Sequence, residues 1–394
     1  MPFAVRRHSV GGLLALLLFT LVTPPVARGA TTFGAPRLLP RYQPAENEPA
    51  RTPDDKRFDK MIDTWFEGEL EARPSWATGV GVHAYDSRLE ETSQAAILAR
   101  LSRARQFLLE AHGKGHPELK SWLEARGIEV DHLSLNRRLD QEIFVAKMLG
   151  INLDLDTIRP WERNPAFYPG VVSNGIYGLV KRDFAPIDSR LMSINARLAL
   201  VPRVFSDARA NLKNPPKVYT EIALGQTRGL VSFLRDLLPP AVAGAQDAQL
   251  KATFAQRNAA AIAEVERYAK WLETDLMARS DGEFRIGRRA YQEKLYDDEM
   301  VSESVDALLA RGYVALADNH RRMVEVARRI DPSKTPEQVL ADMASVHPSE
   351  DSLLIATRAV LGKIRQFIVD KKILTPPTNQ NLNVVETPIF NRSL

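Results

Sequence analysis

The chain has 394 residues, 44% of them apolar, with 53 Lys and Arg against 49 Asp and Glu for a formal net charge of +4. No cysteine occurs, which excludes disulfide staples, thiol catalysis, thiolate zinc sites and a lipid-modified cysteine together. Like charges never run five or six in a row, so the basic balance implies no nucleic-acid partner.

The first 29 residues read as an export signal. Arg6 and Arg7 form a basic start, and residues 11–22 are an apolar run of about 12 residues, against the roughly 20 needed to span a bilayer. Pro24, Pro25 and the small-residue step Ala27-Arg28-Gly29 follow, placing cleavage between Gly29 and Ala30. Without the leader's Arg6, Arg7 and Arg28 the net charge is +1, an ordinary balanced surface. The arginine pair is the usual basic start in preference to a twin-arginine signal, and both export routes stay open. The expected product is exported, periplasmic or secreted, with no stable membrane anchor after cleavage.

Residues 30–53 carry five prolines and little to bury, and are expected to be a disordered linker. Residues 54–394 form one predominantly helical domain. Asp54 and Asp55 open a helix with an inward stripe of Phe58, Ile62, Trp65, Phe66 and Leu70, closed by Pro74. Residues 75–91 form a turn region. Thr92 opens a helix carrying Ile97, Leu98, Leu101, Phe107 and Leu108, stopped by Gly113. The next begins at Asp131 and turns Leu135, Leu139, Ile143, Ala146 and Leu149 inward, with Gly150 as its C-terminal cap.

Residues 159–170 are loop-like, with Trp161, Phe167 and Tyr168 pinning them down. Asp188 caps a helix carrying Leu191, Ile194, Leu198 and Val201, which Pro202 is expected to kink. Asn214-Pro215-Pro216 ends it, and Pro239-Pro240 ends the following helix with its stripe of Ile222, Leu230, Leu234 and Leu237. A long helix from about Gln249 carries Leu250, Phe254, Ile262, Val265, Leu272 and Leu276. Another, from near Ser302, carries Val305, Leu309, Leu316, Met323, Ala327 and Ile330. Thr335-Pro336-Glu337-Gln338 has the form of a capping box, and Ser349 starts a last helix bearing Leu353, Val360, Leu361, Ile364 and Ile368. Asn381 to Phe390 predicts one terminal β-strand without sheet partners, so the expected class is all-α with that single strand.

No catalytic motif is complete. His112 and His116 have helical metal-ligand spacing, but two glycines and Pro117 make that stretch a turn. His320 lies on an apolar stripe and is expected to be a core histidine. Arg321 and Arg322 are expected to meet Asp318 and Glu325 on a solvated face. Asp154 with Asp156, and Asp297-Asp298-Glu299, sit among polar neighbours that would not separate their pKa values. No nucleophile elbow and no phosphate loop occurs.

Three motifs stand out in order: Gly79-Val80-Gly81-Val82-His83-Ala84-Tyr85-Asp86-Ser87-Arg88-Leu89, the Arg197-Leu198 to Val201-Pro202 step, and Ile373-Leu374-Thr375-Pro376-Pro377 leading into Val384-Val385-Glu386-Thr387-Pro388. Together they resemble the bacterial exported domain-of-unknown-function 885 family over roughly residues 55–394. The resemblance implies a mainly helical protein and zinc-dependent peptidase chemistry at a His-Glu-x-x-Pro-Gly-His motif beyond the terminal strand. Nothing in this sequence matches that motif, so no catalytic residue and no metal ligand is assigned, and no cofactor is expected in this chain. The metal-binding part is expected to be missing by truncation or frameshift, with peptide as substrate only once it is supplied. His83, Tyr85, Asp86 and Arg88 are candidate substrate-binding residues, the other reading being that the glycines make a turn which Tyr85 and Asp86 fasten. An alternative function is a non-enzymatic exported helical scaffold or binding protein.

Overall fold

The structure is a computed structural model describing residues 51–111, 133–376 and 382–387. The leader, the Gly29–Ala30 cleavage step, most of the proline-rich linker, Gly113, the His112–His116 pair and the Asp131 helix start lie outside the described residues.

Helix α1 (Pro53–Ala72) starts where Thr52 accepts from the Asp55 amide while the Asp55 carboxylate accepts from the Thr52 amide, with Pro53 in the first turn. A short α2 (Pro74–Gly79) and a 3₁₀ turn at His83–Tyr85 lead to α3 (Gln94–Ala111). Helix α4 (Leu135–Asn152) runs into a π-helical turn at Leu153–Ile158. The stretch expected to be a loop is helical: α5 (Pro160–Arg163) is followed by α6 (Phe167–Val180). Proline misleads there because Pro160 and Pro169 occupy first turns, where a backbone N–H has no intrahelical partner to lose.

Helix α7 (Ile187–Asn211) contains Pro202 without ending at it. Asp188 does not cap α7; its carboxylate accepts from the Gln246 and Asp247 amides instead. Helix α8 (Lys217–Ser232) continues through a second π turn at Phe233–Leu237 into α9 (Leu238–Val242), which Pro239 and Pro240 open rather than close. Helix α10 (Ala248–Trp271) ends in a third π turn, Leu272–Leu276. Then come α11 (Arg288–Glu299), which the hydrophobic period does not mark, α12 (Val305–Ile330), α13 (Pro336–Ser345) and α14 (Leu353–Asp370).

Two cores hold this array. The larger joins α6, α7, α8 and α10 around Tyr168, Ile176, Leu198, Phe205, Val265 and Tyr268. The smaller joins α1, α3 and α4 around Phe58, Met61, Phe107, Phe144 and Met148. A third cluster, Leu70, Ala77 and Val82, bridges them through α2. Each fully buried side chain of this size contributes about 1.5–3 kcal/mol, so the long stripes of α7 and α10 find the partner helices they need.

Expectations about helix faces, one helix end, His320 and the terminal strand are corrected. Helix α4 turns Phe144, Ala146, Met148 and Ile151 inward, leaving Leu135, Leu139 and Ile143 exposed, and Gly150 is buried within the helix rather than capping it. In α12 only Ala327 is buried; Leu309, Leu316 and Ile330 face outward, and His320 is exposed rather than in a core. None of α14 is buried. The terminal strand does not form over the described residues 382–387, and no strand exists among the described residues to pair with it. There the Val384 carbonyl accepts from Arg358 Nη2 at 2.9 Å, a side chain in place of a ladder.

Candidate functional site

The site begins at the Gly79–Leu89 motif. Helix α2 ends at Gly79, and Gly81 adopts φ +87°, a left-handed conformation that favours glycine. The chain then folds back so that the Val82 amide donates to the Ala77 carbonyl at 2.8 Å. This turn delivers Asp86 to the interior, where Thr78 Oγ1 donates to Asp86 Oδ1 at 2.6 Å. His83 Nδ1 meets Asp86 Oδ2 at 2.9 Å, and its ring stacks on Phe184 with centroids 3.8 Å apart.

Beneath the turn lies Arg197 of α7, which has no solvent exposure. Its guanidinium donates to the Gly175 carbonyl of α6, to Thr78 Oγ1 at 2.8 Å and to the Pro74 carbonyl at 3.3 Å. Burial pushes its pKa down to about 10, against the pull of Asp86 and Glu90, so it stays cationic at neutral pH. Its Nε is buried and has no hydrogen-bond partner among the described residues. One side chain thus ties α2, α6 and α7 across a sequence separation of more than a hundred residues.

The predicted residues separate around this tie. Asp86 is buried in it, and His83 lies at the surface beside Phe184. Tyr85 packs against the bridging cluster and carries the Arg88 guanidinium 5.6 Å above its ring. Arg88 alone of the four lines the large cleft of the molecule, where it pairs with Glu71 at 3.0 Å.

That cleft has a volume of about 1410 Å³ and runs along the seam between the cores. The smaller core contributes Trp65 and Leu155, the bridging cluster Trp76, and the larger core Phe167, Val171 and Leu200. Clefts at such seams are where proteins commonly hold ligands. Sequence reading did not find these residues, because no local pattern marks side chains that meet only through the fold. On the cleft floor Glu69 is buried, receiving Arg100 at 2.6 Å with Arg73 at 3.6 Å. Glu90 accepts from the Ser75 amide at 3.1 Å and hydroxyl at 2.8 Å. Arg103 lies against Gly68 and donates to the Thr64 and Trp65 carbonyls, each at 3.1 Å.

At one end of the cleft α11 packs on α4, bringing Asp298 near Gly150 and Lys294 within 2.6 Å of Asp298 and 3.4 Å of Asp154. The expectation that nothing separates these carboxylates fails here. Partial burial, then the charges of Asp298 and Glu293, push Asp297 up to about 6 despite Lys294. Arg321 and Arg322 do meet Asp318, the latter at 2.9 Å.

The zinc implied by the family resemblance finds no fitting donor set. Among the described residues no three His, Cys, Asp or Glu side chains converge as metal ligands. His83 is held by Asp86, while His347 contacts the Pro348 carbonyl and His320 is exposed on another element. No described helix is long and apolar enough to cross a membrane.

Helices around an interior cleft, pinned by a buried arginine, define the class as an all-α array with a seam-lying pocket. The sequence profile described as "Bacterial protein of unknown function (DUF885)" matches residues 74–394, and the chain belongs to that family. Among solved structures, it is similar to one described as a "putative lipoprotein of unknown function" from Shewanella oneidensis. The TM-score is 0.62 at 22% identity, over 84% of this chain and 60% of that one, a likeness of fold. The chain therefore spans about 60% of the length of that structural relative. No curated protein matches.

Proposed function

We propose that this chain is the helical, ligand-holding portion of an exported protein of this family, and that its cleft takes peptide. The observation that carries the reading is the seam cleft itself, about 1410 Å³ and walled by aromatic side chains and the amides of Asn174 and Gln226. Export is supported by the Arg6-Arg7 start with its apolar run, and by the lipoprotein description of the Shewanella relative. In this reading Arg88 meets ligand at the cleft wall, while His83, Tyr85 and Asp86 position the turn that presents it. Peptidase chemistry of the kind the resemblance implies belongs to polypeptide beyond these residues, and the chain unaided binds without cleaving.

The test is peptide binding to the purified chain, measured by tryptophan fluorescence, with zinc stoichiometry and peptide turnover on the same material. Saturable binding without turnover is expected. One bound zinc per chain accompanied by hydrolysis would overturn the division of labour, and absence of any peptide binding would overturn the cleft assignment.

A second reading, a non-enzymatic scaffold, is favoured by the outward apolar stripes of α12 and α14. A scaffold would unfold cooperatively as a monomer or defined oligomer, whereas a portion of a larger fold would aggregate through those stripes.

A further inference from the structure

The cleft carries a statement about its ligand, resting on the proposed peptide role. Six acidic and six basic side chains line it, so the wall is neutral as a whole. Most of those charges are already satisfied within the wall. Glu69 is held by Arg100 and Arg73, Glu71 by Arg88, Glu91 by Arg203, and Asp154 and Asp298 share Lys294. Glu90 is held by Ser75, and Arg103 by two main-chain carbonyls and the Phe107 ring. A charged ligand group entering here would compete with pairs already formed, for little net gain in a partly wet cleft.

The uncharged surface is open. Trp65, Trp76 and Phe167 are half-buried, each keeping part of its ring at the cleft, and Arg73 stacks over Trp76 at 5.5 Å to hold that ring in place. Asn174 and Gln226 line the same wall, and neither amide makes a hydrogen bond among the described residues. A carboxamide offers both donor and acceptor, which suits the alternating N–H and C=O groups of an extended backbone. Aromatic walls with few placed amides favour apolar side chains along that backbone.

We infer that the cleft selects uncharged peptide segments bearing aromatic or large aliphatic side chains, in preference to acidic or basic ones. The test is the affinity of the full chain for three blocked peptides of equal length. One carries Phe and Leu at alternate positions, the second Glu there, and the third Lys, each titrated at low and high salt. The Phe/Leu peptide should bind at least ~10-fold tighter than either charged one, with a salt effect below ~2-fold because no unscreened charge pair forms. Trp76→Ala should weaken that peptide by about 10-fold, as expected for an aromatic anchor. Since Trp76 also packs on Phe66, a variant at the exposed rim residue Lys147, Lys147→Glu, serves beside it. It should leave the Phe/Leu peptide within about 2-fold while raising affinity for the Lys peptide, as a rim charge acts by steering. Tightest, salt-sensitive binding of a charged peptide would overturn the selectivity and leave the peptide-holding role standing. Failure of all three peptides to bind would remove that role itself.

Discussion

At the scale of single residues, Arg197 is the side chain on which the site's geometry depends. It replaces a bulk-solvated guanidinium with bonds to Gly175, Thr78 and Pro74, all inside the protein. Arg197→Lys keeps the charge but removes the fork that reaches two elements at once. A loss of about 3 kcal/mol or more is expected, measured as a lower urea midpoint at unchanged slope. Asp297 gives a pH-dependent case. Its folded pKa is raised, to about 6 from an ordinary 3.8, so the folded state binds its proton more tightly than the unfolded chain does. The stability it contributes through this bound proton is fully present below about pH 4 and is lost as pH rises through about 6, which leaves a partly buried charge at neutral pH. Asp297→Asn should therefore raise stability at pH 7 by less than about 1 kcal/mol, given its partial exposure, and change nothing at pH 4. Equality of the two gains would rule out this account. Much of this scale escaped sequence reading. The Arg197-Leu198 step was visible as a motif, but its burial depends on Thr78 and Gly175 lying more than twenty residues away in sequence. Asp297 looked like surface charge because its burial comes from α4.

At the scale of elements, local chemistry decided ends more reliably than faces. The Thr335 capping box forms as its residues require, its hydroxyl accepting from the Gln338 amide at 3.3 Å and its own amide donating to Gln338 Oε1 at 2.9 Å. Thr335→Ala should cost α13 about 1 kcal/mol, seen as faster amide exchange in its first turn. Helix α4 shows why faces were harder. Leu135, Leu139 and Ile143 make one regular stripe, and Phe144, Met148 and Ile151 make a second; periodicity reveals both and cannot say which meets a neighbour. Helix α6 was missed for a different reason. Its buried surface includes Pro169, Ser173 and Gly175, small or atypical residues chosen by close packing rather than by hydrophobicity. A Cβ at Gly175 would overlap Leu89 and stand 3.0 Å from Ser75 Oγ. Gly175→Ala should thus push the predicted motif off α6, at about 1–3 kcal/mol, and weaken peptide binding by moving the Arg88 wall. Unaltered stability would show that Leu89 can step aside.

At the scale of the whole molecule, the helical class was legible from the period of the apolar residues, while residues 382–387 form no strand because no described strand lies beside them. The outward stripes of α12 and α14 are the largest departure from a finished surface, with Leu316, Ile364 and Phe367 about half exposed or more. Leu316→Glu combined with Ile364→Glu should abolish dye binding and concentration-dependent light scattering, while the melting transition moves by no more than about 0.5 kcal/mol. A large loss of stability would mean those side chains are packed. The chain also weaves between its cores. Leu89 belongs to the larger one, although α1 and α3 on either side of it belong to the smaller. Such stitching has a practical outcome for fragment work. A single cut after Arg159, the left-handed residue between α4 and α5, would give two pieces that co-elute from a sizing column and part only in denaturant. Deletion series meant to isolate either half should therefore yield insoluble material, whereas nicked protein should keep its cleft.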